Sequence, residues 1–384
     1  MSNEYVRRLQ GGFHDNTLRK WQGRGQNITP DCMMYPVFVS TEADLLEEIT
    51  TLPGQYKVGK NKLLAYLKPM VENGLKSIIL FPTDVEKRND TDVFYHLHYT
   101  DENPAVDAIM LIKKHFRHVT VACDVCLCGF VESGLCFTLT DEPVRRPNYD
   151  KKDETLSKTE KMTLYVNSQA VDSKSTLQFI SNLALVYAKH GADIVAPSDM
   201  NDGRVGAIDK VLEDKCLRGK CAIMSYSAKF SSCMYGPFRG ACDSTPITGN
   251  RDGCQLPPAS SGLANRAVDR DIVENADIVM VKPSMMYLDI VRDIKQKHPH
   301  HPIAAYQVSG EYAMMHAAVE KGIFQMKKLV YENFTCMQRA GVDIIISYFT
   351  PMVLKWLIED RQEEQEQLNT IMKKLETKGV FDGN

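Results

Sequence analysis

A chain of 384 residues, 43% hydrophobic and 25% charged, has the composition of a globular protein, and its length suits one large α/β barrel with appendages. A formal net charge of −3 gives no electrostatic basis for binding nucleic acid or an anionic membrane. No run approaches the roughly 18 apolar residues of a membrane span, the opening MSNEYVRRLQ lacks the apolar centre of a secretory signal, and 11 scattered cysteines, an odd number, do not resemble a disulfide framework. A cytoplasmic protein with reduced thiols is expected.

Residues 1–33 are polar and lack sustained periodicity, yet they carry Phe13, Leu18 and Trp21. A free tail would leave these groups wet, so the segment reads as an arm that packs on another subunit, the alternative being a disordered terminus. From residue 34 to 384 short β-branched runs alternate with helical patterns. The runs are Tyr35–Val39, Ser77–Phe81, Val119–Val125, Asp193–Ala196, Ala222–Ser225, Ile278–Val281, Ile303–Val308 and Asp343–Ser347. Helical patterns cover Lys60–Val71, Ala105–Phe116, Leu177–Lys189, Ile208–Cys216, Leu263–Glu274, Met286–Lys297 and Lys321–Arg339, and a last one follows Pro351. Strands with no wet face, each followed by a helix, predict a closed parallel (β/α)8 TIM barrel with an extended N-terminal arm. The runner-up, an open doubly wound sheet, lacks a GxGxxG element after its first strand. Residues 141–174, rich in both charge signs, are too long for an ordinary βα connection and read as a solvated insertion or, failing that, a lid.

In a barrel of this kind the site is built at the C-terminal strand ends. The third strand runs into a loop carrying Cys126, Cys128 and Cys136. Three thiols at one loop mouth suit a thiophilic metal, and without a nearby histidine they leave its fourth position open, as in catalytic zinc sites. Cys123 as a fourth ligand would close the site, but strand alternation puts it opposite Asp124 and Cys126, towards the helices. Cys216, Cys221, Cys233, Cys242 and Cys336 lack ligand grouping. Further strand ends carry Ser198 and Asp199, Lys229, Lys282, Ser309 and Tyr348.

A lysine at the tip of an apolar strand normally pairs with a carboxylate. Two of them on adjacent strands, Lys229 and Lys282, disfavour each other's charge, which leaves an amine able to attack a carbonyl and form a Schiff base. The long connection after Lys229 bears Tyr235, Phe238, Arg239, Arg251 and Gln255. Its arginines read either as solvated charges or as clamps for a carboxylate, with the Ser309 and Tyr348 hydroxyls as a second anchor.

With these residues assembled, the chain resembles the delta-aminolevulinic acid dehydratase family, also called porphobilinogen synthases, from Gly12 to about Asp360. The motifs are ACDVCLC with Cys136 beyond it, APSDMNDGRV, MSYSAKF, YGPFR, VDRD, MVKP, YLDIVR, VSGEY and the tyrosine after DIIIS. The resemblance implies condensation of two 5-aminolevulinate molecules into porphobilinogen, with loss of two waters, in tetrapyrrole synthesis. It implies Lys282 and Lys229 as Schiff-base lysines, and Cys126, Cys128 and Cys136 as ligands of a catalytic Zn2+. It also implies Arg239, Arg251 and Gln255 near one substrate carboxylate, Ser309 and Tyr348 at the other, and Asp124 and Ser198 near the second amine. A homo-octamer joined through the N-terminal arms is expected. Ser284 and Met286 of KPSMMYLD depart from the family pattern and predict a differently shaped loop beyond Lys282; Gly253, Cys254 and Leu135 argue against a second zinc, and Arg270 argues against an allosteric magnesium. Two rivals are a lysine-dependent aldolase, which needs no thiolate metal, and an inert zinc-stabilised scaffold, which would form no imine.

Overall fold

The computed structural model describes residues 27–87, 103–131, 133–140, 155–157, 170–242 and 254–377, together with Arg19 and Glu160. Most of the expected arm, most of segment 141–174, and Arg251 lie outside these residues.

Ten strands are described: β1 (Met33–Ser40), β2 (Leu46–Glu48), β3 (Tyr56–Gly59), β4 (Ser77–Thr83), β5 (Thr120–Val125), β6 (Ile194–Pro197), β7 (Ala222–Lys229), β8 (Ile278–Lys282), β9 (Ile303–Gln307) and β10 (Ile344–Ser347). β1 and β4 to β10 pair in chain order, all parallel, and β10 pairs back onto β1 at Met33↔Ile345 and Met34↔Ile346. Eight parallel strands thus close into the predicted (β/α)8 barrel. Closure leaves no edge, and every residue of β1 is buried because side chains facing either way meet the barrel interior or the helical layer. The β2–β3 hairpin, not anticipated, hangs on β1 through the parallel register Phe38↔Lys57.

The outer helices are α1 (Lys60–Glu72), α2 (Pro104–His115), α3 (Ser173–Lys189), α4 (Arg204–Asp214), a short α5 (Gly236–Ala241), α6 (Ser261–Val273), α7 (Leu288–Lys297), α8 (Ser309–Glu320), α9 (Met326–Ala340) and α10 (Thr350–Thr377). Their starts follow local chemistry. Asn103 accepts a hydrogen bond from the Ala105 N–H ahead of Pro104, and Asp172 and Ser260 accept from Ser175 and Leu263. The helix expected over Lys321–Arg339 begins only at Met326, because α8 ends at Glu320 and the chain turns at Gly322, whose φ of 71° is left-handed. The Gly322 and Ile323 N–H groups bond back to Val319 and Ala318, a stop that glycine tolerates.

The charged segment is closed at its base. Leu139 and Val171 form an antiparallel bridge, and Thr140 and Asp172 donate to the carbonyls of Ala170 and Thr138. The two ends of the insertion therefore lie side by side beside the cysteine loop.

Candidate active site

The register of β7 and β8 makes Lys229 and Lys282 direct neighbours. A bulge in β7 is needed for this. Ser225 pairs with Val279 and Ala228 with Val281, so β7 carries one extra residue. Ser225 turns outward, donating to Asp271 on α6 at 2.6 Å, whereas Tyr226 faces the barrel mouth. Strict alternation would then send Lys229 outward. The extra residue resets the phase, and Tyr226 and Lys229 share one side, with the ammonium 5.5 Å from the ring centroid.

Both lysines are nearly closed off from solvent, at 6% and 5% exposure. Lys229 Nζ donates to the Ser198 carbonyl at 2.5 Å. Lys282 Nζ sits in an aromatic cage, 4.2 Å from the Tyr306 centroid, 5.0 Å from Phe238, 5.2 Å from Tyr226 and 5.4 Å from Tyr235. The nearby carboxylate is Asp124, at the end of β5. Burial raises its pKa to about 6 against the pull of the Lys229 charge, with Cys128 raising it and Lys282 and a Ser198 hydrogen bond lowering it. Its Oδ1 is buried and has no hydrogen-bond partner among the described residues.

Cys126, Cys128 and Cys136 offer three sulfurs that all lie within 4.8 Å of one another, and Cys126 Sγ is 3.3 Å from Cys128 Sγ. Cys123 is not in this group. It is fully buried, and burial pushes its thiol well up, with Cys221 adding to the shift. Among the described residues no other set of three or more such ligands gathers. Hydrogen bonding of its S–H to Cys128, with Cys136 adding, and then burial push the Cys126 thiol well up. Without a cation these thiols resist ionising together; a soft divalent ion reverses that, so the donor set fits a thiophilic metal.

The lysines are flanked by the groups expected to hold carboxylates. Leu256 N–H donates to the Lys229 carbonyl and Ser231 N–H to that of Leu256, pinning Gln255 at the tip of β7. Gln255 is 4% exposed, and neither amide atom has a hydrogen-bond partner among the described residues. Tyr235 Oη donates to the carbonyls of Phe230 and Lys282. Ser309 Oγ accepts from Phe238 N–H and donates to the Met234 carbonyl. Tyr348 Oη pairs with Tyr306 Oη at 3.0 Å. Arg239 lines a cleft of about 440 Å³ with Thr83, Asp84 and Cys242, whereas Gln255 borders a separate cleft of about 980 Å³ with Met200 and Arg270. Arg239 and Gln255 thus border different clefts, and the stretch between them contains Arg251, which lies outside the described residues.

Three site residues were not singled out from sequence. Tyr226 and Tyr306 build the cage around Lys282; their signal was a phenol on a fully buried strand, where its hydroxyl needs a partner. Glu311 is fully buried and accepts from the N–H groups of Ser284, Met285 and Val308 and from Ser284 Oγ. Burial raises it to about 7 while those bonds pull it down. Ser284 thus gains a buried partner, and Met286 is exposed.

A sequence profile for delta-aminolevulinic acid dehydratase matches residues 6–167 and 161–356. The chain is 42% identical over 352 residues to the delta-aminolevulinic acid dehydratase of Pongo abelii, covering 92% of this chain and 98% of that one. It is 42% identical over 349 residues to the Candida glabrata enzyme of the same name, covering 91% and 94%. A crystal structure of delta-aminolevulinic acid dehydratase (porphobilinogen synthase) from Toxoplasma gondii, in complex with its reaction product porphobilinogen, is similar at a TM-score of 0.82 and 30% identity, over 94% of each chain. The paired lysines, the thiol cluster and these matches agree: the chain belongs to the delta-aminolevulinic acid dehydratase family of lyases.

Proposed function

We propose that this protein condenses two molecules of 5-aminolevulinate into porphobilinogen through imines on Lys229 and Lys282, with zinc held by Cys126, Cys128 and Cys136. The observation that carries this reading is the side-by-side register of two buried lysines next to a three-thiol cluster. Each lysine amine adds to a substrate ketone and expels water, which makes the former carbonyl carbon electrophilic and acidifies the neighbouring C–H. Asp124 faces both lysines and, with its raised pKa, is suited to accept and return a proton near neutral pH. The aromatic walls keep water from Lys282, so an imine there is protected from hydrolysis. Zinc, when bound, supplies a Lewis acid that lowers the pKa of a coordinated amine or water.

Arg239, Arg251 and Gln255 are assigned to one substrate carboxylate, Ser309 and Tyr348 to the other, and Ser198 to the second amine, with Tyr235 and Phe238 closing over Lys282. The Gln255 amide, unpartnered among the described residues, supports the first of these assignments. The thiol cluster favours this reading over a lysine aldolase, which has no use for it. We assign residues 1–33 to an oligomerisation arm of a cytoplasmic homo-octamer, and 34–384 to the catalytic barrel with segment 141–174 inserted. Among the described residues no helix is long and apolar enough to cross a membrane. The test is porphobilinogen formation by the purified protein before and after a zinc chelator. Formation that stops on chelation and returns with zinc supports the proposal; undiminished formation removes zinc from it, and none under any condition removes the activity.

A further inference from the structure

The turn that leaves β6 reaches both halves of the site. The Ser198 carbonyl accepts from Lys229 Nζ, and Asn201, three residues on, donates from Nδ2 to the carbonyl of Cys136 at 2.9 Å. The same Nδ2 lies 2.6 Å from Asp199 Oδ2, which also accepts from the Asn201 N–H at 3.0 Å. Met200, between them, has a left-handed φ of 69°, a conformation that a non-glycine residue holds only when its surroundings impose it. Arg204 braces this turn. Fully buried, it donates from Nη1 to the Asn201 carbonyl at 3.2 Å and also reaches Ser225, Asp271, the Tyr226 carbonyl and Asp199.

The three metal ligands differ in how they are held. Cys126 and Cys128 directly follow β5, where the Ser198 N–H donates to the Val125 carbonyl. Cys136 lies farther along a loop, away from any barrel strand, and the Asn201 amide ties its backbone to the β6 turn.

We propose that Asn201 is a positioning residue for the metal centre, fixing Cys136 against the two ligands that β5 already holds. This rests on the assignment of the three thiols as metal ligands. Groups that orient a ligand without touching the ion typically contribute 10–100-fold to metal affinity. An amide anchored by a strained turn, itself braced by a buried arginine, is such a group.

The test is zinc affinity of the full-length protein, measured by competition with a chromogenic chelator, for wild type, Asn201→Leu and Asn201→Ala. Thermal unfolding of the metal-free forms is recorded alongside. The expected result is affinity weakened about 10–100-fold in both variants, with Cys126→Ser weaker still. Leucine keeps the volume and alanine removes it, so at least one variant is expected to fold. A purely structural role would lower the unfolding temperature of the metal-free variants and leave their zinc affinity at the wild-type value, which would overturn the proposal. Wild-type protein that binds no zinc, or binds it equally well after Cys126→Ser, would instead overturn the underlying ligand assignment.

Discussion

Replacing Arg204 with methionine tests how the site is held from behind. The guanidinium is fully buried, donates to both carboxylate oxygens of Asp271 at 3.3 and 3.1 Å, reaches Ser225 Oγ at 2.9 Å, and lies 3.6 Å from Asp199 Oδ1. At 3.1 Å and an effective dielectric near 20 the attraction to Asp271 is about 5 kcal/mol, most of it offset by desolvation. Removing one partner exposes the desolvation that remains. Breaking a buried pair costs about 3–5 kcal/mol, and the lower end applies because Arg270 stays on Asp271 at 2.8 Å. Asp199 has no such substitute among the described residues. Burial already holds its carboxyl above the usual range, and loss of Arg204 raises it further. A carboxyl whose folded pKa exceeds its unfolded one destabilises the native state at neutral and alkaline pH, and that penalty fades as pH falls and it takes up a proton. Equilibrium urea unfolding of Arg204→Met should therefore show a loss of about 3 kcal/mol near pH 8 and a smaller one near pH 5.5. A loss below about 1 kcal/mol, or one equal at both pH values, would refute the reasoning.

The pKa of about 6 at Asp124 predicts that kcat/KM falls as pH drops through that value, since protonation removes the carboxylate from between the lysines. In Asp124→Asn, activity should be low and that acid limb missing; an unchanged limb in the pH–rate profile assigns it elsewhere. A Cβ added at Gly310 would lie 2.5 Å from the Met234 carbonyl oxygen, so Gly310→Ala must displace the backbone that carries Tyr235 and Phe238. It should cost about 1–3 kcal/mol of stability and raise KM, whereas unaltered KM would show that this close approach is not needed. Removing residues 1–26, short of β1, should lower molecular mass in sedimentation and activity together; a fully active assembly of unchanged mass would sink the arm assignment.

The barrel was legible because its strands are buried on both faces, and eight continuous apolar runs leave few other ways to satisfy their backbones. The placement of the lysines at apolar strand tips and of the thiols at one loop mouth was legible too, because groups that are costly to bury mark the strand ends that carry them. Other features depend on pairing that one strand cannot display. The β7 bulge that brings Tyr226 and Lys229 to one side is a property of its register with β8. The exposed Leu46–Glu48 strand carries no buried face to reveal it. Arg204 at the start of α4 and Asp271 on α6 are 67 positions apart in the chain and meet over Ser225 only in the fold. Glu311, near the start of α8, holds the turn that follows Lys282, a contact that only the packing of α8 against that turn creates.

The central claim is that two neighbouring lysines bind substrate covalently. Borohydride reduction of the zinc-loaded protein in the presence of 5-aminolevulinate, followed by peptide mass analysis, measures this directly. The account predicts a reduced adduct on the peptide containing Lys282, Lys229 or both, lost in Lys282→Ala and Lys229→Ala at the respective site. Folded, zinc-loaded protein that yields no adduct on either lysine would contradict it.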